Sequence, residues 1–228
     1  MNRSFNDSAN QSIQVFTNLL DKVQKSNIIA GEIKVRLSKI NYEINFDGLD
    51  IVRKINDIAS LIAISDLDLA VASKILYNAP NNWEKIYSIK SAYLTIFEVF
   101  KTYNKHRKFL NEISISSSIF LNEEFKNINN LIKAFKNKHR YDNEMSVIRN
   151  NICGHISDNI ELYYNTIIQF NGEKTGEMII EFLQILDILQ NFLIKILEQE
   201  KLKYNHQEII KLARKMFPDL NNKINLLF

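Results

Sequence analysis

The chain has 228 residues, 46% of them hydrophobic and 24% charged, with only five Gly, two Pro and one Cys. That length suits one large domain or two small ones, and the composition excludes a disordered, collagen-like or disulfide-stapled chain. So few helix breakers also exclude an all-β sandwich or barrel, which needs turn residues roughly every 8–12 positions; a mostly helical protein is expected. The net charge of +3 conceals an uneven distribution, with a net +5 over residues 101–149, −6 over 150–200 and +4 over 201–228. Blocks of this kind fit either a polyanion-facing surface or solvated helix faces. The lone Cys153 fits a reducing compartment, and Met1 to Asn10 lacks the apolar segment of a secretory signal. The apolar stretch Met178 to Leu197 is interrupted every three to four residues by polar side chains, the mark of an amphipathic helix rather than a membrane span. A soluble, cytoplasmic protein is expected.

In chain order, Val15, Phe16, Leu19, Leu20 and Val23 form a helical stripe, and Ile33, Leu37 and Ile40 continue it beyond Gly31, which could bend the pair. Asp50 is placed to cap a helix carrying Ile51, Ile55, Ile58, Leu61 and Ile62, and Asp66 to cap another running to about Tyr77. Asn78 to Asn82 is the clearest loop. Trp83 to about Leu110 reads as one long helix with Ile86, Ile89, Tyr93, Ile96, Phe97 and Phe100 facing inward, Ser114 to Ser118 as a break, and Asn122 to Lys138 as the next helix. Ile160, Tyr163, Tyr164, Ile167 and Ile168 fit a helix stopped at Asn171-Gly172, although the β-branched run Thr166 to Phe170 would also suit a hairpin arm turned by the same Asn-Gly. Helix is preferred. Thr175 to about Lys203 reads as a long helix and Gln207 to Phe217 as a short one ended by Pro218. There is no tandem repeat and no linker that would divide the chain, so residues 1–228 are expected to form one all-helical domain.

The segment Ile148-Arg149-Asn150-Asn151-Ile152-Cys153-Gly154-His155 gathers a permanent cation, two amides and an imidazole beside one of the few glycines. Arg is shaped to hold a phosphate by two parallel hydrogen bonds, and the imidazole titrates near neutral pH. Six residues of regular α-helix would leave Arg149 and His155 about 120° apart in azimuth and about 9 Å apart along the axis. Either Gly154 breaks the helix, or residues from elsewhere complete the site, and a second copy of the chain is the economical source. An Arg in a surface salt bridge and a His at a helix end remain the alternative.

Arg149, the polar Asn150 after it and His155 following five intervening residues resemble the Arg-polar-x-His signature of the HEPN superfamily. The resemblance implies an all-α bundle of four or more core helices. Residues 81–205 would be that core, with 206–228 a C-terminal helix and tail, and 1–80 either accessory helices or a dimer interface. It further implies a homodimer acting as a metal-independent endoribonuclease in antiphage defence, as a toxin, or in growth control. His155 would be the general acid/base, Arg149 would stabilise charge on the scissile phosphate, and Asn150 would orient the pair. The ribose 2′-OH would attack the adjacent phosphorus and leave a 2′,3′-cyclic phosphate, which requires RNA. No cofactor or metal is implied, and an antitoxin or sensor is a candidate partner. A subset of the family carries a Tyr two residues after the His as the target of a partner nucleotidyltransferase; Ser157 stands there, so regulation of that kind is not supported. Some members are inert bundles that bind nucleotides or partners, which keeps a non-catalytic interaction protein as the rival reading.

Two basic clusters are candidates for guiding RNA: Lys101, Lys105, His106, Arg107 and Lys108, and, just upstream of the motif, Lys133, Lys136, Lys138, His139 and Arg140. Tyr103 and Tyr141 lie among them as candidate stacking residues. Gly172 to Gly176 lacks the ending of a phosphate loop and reads as a turn capped by Thr175. Cys153 and His155 supply only two metal ligands; Cys153 is read as a small, half-buried residue rather than a nucleophile, and Tyr163-Tyr164 as core.

Overall fold

The computed structural model describes residues 3–39, 47–153, 159–203 and 206–221. Among these the protein is all-α, with no strand: α1 (Arg3–Ser38), α2 (Asp47–Asn78), α3 (Asn82–Ser117), α4 (Ile119–Lys138), the single turn α5 (Ser146–Ile148), α6 (Ile160–Ile167), α7 (Gly172–Lys203) and α8 (His206–Met216), followed by a short 3₁₀ turn, Pro218–Leu220. No helix among the described residues is long and apolar enough to cross a membrane.

Four long helices, α2, α3, α4 and α7, enclose the main core. Ile55, Ile58, Ile62 and Leu69 of α2 repeat at helical spacing and meet Ile96 and Phe100 of α3, Phe125, Ile128 and Phe135 of α4, and Phe182, Phe192 and Ile196 of α7. Aromatic rings fix the layers: Phe100 meets Phe182 edge-on at 5.1 Å, Phe135 lies 5.4 Å from Phe100, and Phe125 stacks on Phe192 at 5.7 Å. Each such fully buried side chain contributes about 1.5–3 kcal/mol of transfer free energy. Because α2 supplies a full stripe to this core, the bundle begins at Asp47 and not at residue 81; of the described residues before 81, only those of α1 lie outside it as an accessory helix.

The apolar phase of α2 runs unbroken past residue 66 with no Gly or Pro to stop it, so the two helices expected at Asp50 and Asp66 are one. Asp66 is not a cap but a buried carboxyl inside that helix. Likewise α1 is one helix across Gly31; Ile40 lies outside the described residues. Only Val23 of the Val15 to Val23 stripe is fully buried, because α1 packs mainly along α2. The two run antiparallel and are joined by amides: Asn6 and Asn78 exchange hydrogen bonds of 2.8 and 3.3 Å, and Asn56 donates to Asn27 and Ser26. A second, smaller core forms where Ile29, Ile33 and Leu37 of α1 receive Ile209 and Ala213 of α8 and Leu220.

Helix ends obey local chemistry. Asn81 caps α3 by accepting from the Glu84 N–H at 3.0 Å, and Ser118, inside the expected break, caps α4 by accepting from Leu121 N–H at 3.2 Å. Asn171, not Thr175, caps α7: its side chain accepts from Lys174 N–H at 3.0 Å while its carbonyl accepts from both the N–H and the hydroxyl of Thr175. The Asn-Gly pair therefore separates two helices and turns no hairpin.

Candidate active site

The motif segment follows an abrupt reversal. Arg140 ends α4 in the left-handed conformation, with φ 48° and ψ 47°, the only non-Gly residue with positive φ among those described. Its carbonyl then accepts from the N–H groups of Glu144 and of Met145 five residues on, opening the π-type turn Tyr141–Met145. After the single α-turn of α5 a second π-type turn, Arg149–Cys153, carries the motif itself. Wide turns of this kind often mark functional segments. The azimuth derived for a regular α-helix between Arg149 and residue 155 does not apply across it. Gly154 and His155 lie outside the described residues.

Arg149 is held by a residue the sequence did not point to. Its Nε donates to Glu98 Oε1 of α3 at 2.7 Å, its Nη2 lies 2.5 Å from the same oxygen, and its Nη1 donates to Asn150 Oδ1 at 2.9 Å. The guanidinium carbon sits 5.7 Å from the Phe97 ring centroid, a cation–π contact. Lys101 lies 3.8 Å from the other Glu98 oxygen. The side chain is 26% exposed, and two of its five N–H donors face no described partner. Asn150 reaches back toward Ser146 Oγ at 3.5 Å, so it orients Arg149 from within the motif. No linear signal joins positions 98 and 149, which are 51 residues apart.

Beside this pair Ile152 is buried and Cys153 half-buried. Burial pushes the Cys153 thiol up to about 11 against the opposing pull of Lys90 and Arg149, so at neutral pH it is protonated and a poor nucleophile. Lys90 donates to the Tyr163 hydroxyl at 3.1 Å. Tyr164 is exposed with Ile160 and Ile168, so α6 shows an apolar face to solvent and the Tyr163-Tyr164 pair is not core. A cleft of about 770 Å³ adjoins α5 and carries Asp142, Glu144 and Lys174 on its walls.

The second basic cluster is mostly committed to intramolecular contacts. Lys138 and His139 both pair with Glu181 of α7, His139 Nε2 at 3.0 Å, and Arg140 pairs with Glu144. These hydrogen bonds from Lys138 and His139 hold the Glu181 carboxyl below its ordinary range. The half-buried Lys136 places its ammonium 4.3 Å from the Tyr141 ring centroid and 5.0 Å from that of Phe100, and burial lowers its affinity for the proton. Lys133 is exposed. Tyr141 is buried, stacked on Phe97 at 4.8 Å, and donates its hydroxyl to the Phe97 carbonyl at 3.0 Å; Tyr103 is buried too. Neither ring has a face free for a base, so neither offers the stacking surface expected of it. In the first cluster Arg107 and Lys108 instead line a groove of about 620 Å³ with Lys126 and several Asn side chains.

Among the described residues no group of three or more His, Cys, Asp or Glu is arranged to hold a metal ion. A scan against protein-family models finds no matching family, and neither curated proteins nor solved structures give a match.

Proposed function

We propose that this helical bundle is an endoribonuclease of the HEPN type, with Arg149, Asn150 and His155 as its working residues. The observation that carries the reading is the preparation of Arg149: Glu98, Asn150 and the Phe97 ring fix its guanidinium while leaving donors for a phosphate. His155 takes the proton of the ribose 2′-OH as the oxygen attacks phosphorus. The 5′-oxygen leaves with a proton delivered by an imidazole, and a second copy of the chain is the economical source of that group. The exposed apolar face of α6 beside the motif suits such a twofold contact. RNA would approach over Lys133 and the groove lined by Arg107, Lys108 and Lys126. Such an activity serves growth control or defence in the cytoplasm, under an antitoxin or sensor.

A second reading rests on the same ion pair. Glu98 neutralises Arg149, and the adjoining cleft carries two carboxylates, which also suits a non-catalytic bundle that binds a protein partner. Incubation of the purified chain with a single-stranded RNA in EDTA separates the two. The ribonuclease reading expects fragments ending in 2′,3′-cyclic phosphate and a fall of at least about 100-fold in Arg149→Ala and His155→Ala, with Cys153→Ser retaining activity. Cleavage by Arg149→Ala at the parental rate overturns it.

A further inference from the structure

A cavity of about 900 Å³ opens between α1, α2 and α7, and the first turn of α3 closes one end. Its volume lies within the range of small-molecule sites. Most of its wall is apolar, from Phe16 on α1 to Ile179 and Leu183 on α7, yet Asp66 also lines it. Asp66 is only 9% exposed, and among the described residues it makes no hydrogen bond and no ion pair. A carboxyl buried that far is ordinarily paired. None of the bundle chemistry above uses it.

The charges around the cavity are polarised. Asp187 of α7 acts on Asp66 as a second negative group, and α1 contributes rings, hydroxyls and Ala9 but no charge. Lys85 and Glu173, one charge of each sign, line the far end: Ser88, one turn after Lys85, is hydrogen-bonded to the Ala72 carbonyl, and Gly172 adjoins Leu76. At that end Phe5 rests against Tyr77 with ring centroids 4.5 Å apart. From Asp66 to Tyr77 the α2 axis rises about 16 Å. The site is thus long, apolar and aromatic, with one unanswered negative charge at one end; aromatic faces themselves attract organic cations.

We propose that this cavity binds an elongated organic cation, whose ammonium group pairs with the Asp66 carboxylate and whose apolar body extends along α2 toward Phe5 and Tyr77. A fatty acid of equal length would bring a like charge to Asp66, and a fatty alcohol would leave the carboxylate unanswered. Gly176 provides the means to close the site, because a Cβ built there meets nothing within 4 Å. Burial, with Asp187 adding to it, lifts the Asp66 carboxyl to about 7, so the amine binds more weakly as pH falls from 8 toward 6.

Calorimetric titration of the whole chain at pH 8 with dodecylamine, dodecanol and dodecanoate tests the site. The expected result is saturable binding of the amine, one per chain, at least tenfold tighter than the alcohol and with no binding of the carboxylate. Asp66→Asn should reduce the amine to the affinity of the alcohol, and Gly176→Leu should remove both, with circular dichroism confirming that each variant folds. An amine that binds the parent no tighter than the alcohol, or that binds Asp66→Asn as tightly as the parent, overturns the proposal. The Asp66→Asn comparison decides by itself where the Leu variant fails to fold. Neither outcome depends on RNA cleavage.

Discussion

Asp66 shows how one side chain can set a pH profile. Its carboxyl moves from an ordinary 3.8 to about 7 in the folded chain, chiefly because burial disfavours the charge. Between these values the native state binds the proton that the unfolded chain releases, so the contribution of this group to stability is fully present below about pH 4 and is lost as pH rises to about 7. Asp66→Asn removes that dependence. Denaturant titrations should find the variant more stable than the parent at pH 8, by on the order of 2–4 kcal/mol, and the gain should shrink toward zero near pH 4. An unchanged difference across the range would contradict the burial of this carboxyl. At the motif, by contrast, Arg149 is paired with Glu98, and that pairing was invisible in the sequence because the contact joins two elements with no shared periodicity.

Among the elements, the passage from α4 to α5 carries the local strain. Arg140 adopts a left-handed backbone that costs an L-residue about 1–2 kcal/mol, and the reversal aims the following turns, hence Arg149, at α3. Both Arg140→Gly and Arg140→Ala lose the exposed pair with Glu144, so their difference isolates the backbone: the Gly variant should be the more stable by about 1 kcal/mol in chemical denaturation. Helix positions were readable where apolar residues repeat at helical spacing, as in α3, α4 and α7. The reading failed where a polar residue interrupts a continuing phase. Asp66 looked like a cap because Asp favours helix starts, whereas the repeat from Ile55 to Ala72 carries the helix through it. Likewise Tyr141 and Tyr103 look like surface aromatics beside basic residues, but both rings are buried in the main core. Wide turns such as Arg149–Cys153 have no signature in composition.

At the scale of the whole molecule, an all-helical bundle was legible from scarce breakers and long amphipathic runs, whereas the membership of α2 in its core was not, since only tertiary contact shows which stripes meet. If the apolar face of α6 is the twofold contact, Ile160→Lys together with Ile168→Lys should yield monomers by light scattering and abolish RNA cleavage without lowering thermal stability. Dimers of the double variant would place the contact elsewhere. The two cores differ in depth: four long helices share one, while the other is a short clasp of α1, α8, Leu49 at the start of α2 and Leu220, in which Arg36 bridges Glu32 and Asp219 and lies 5.5 Å from the Phe217 ring centroid. The clasp should therefore open before the bundle melts. Opening the clasp frees α8 and leaves α1 packed along α2; because α1 also forms one wall of the Asp66 cavity, its own later detachment dismantles that cavity. Attachment of α1 and occupancy of the cavity thus become a single coupled equilibrium, in which any molecule bound beside Asp66 raises the temperature at which the chain's first helix lets go.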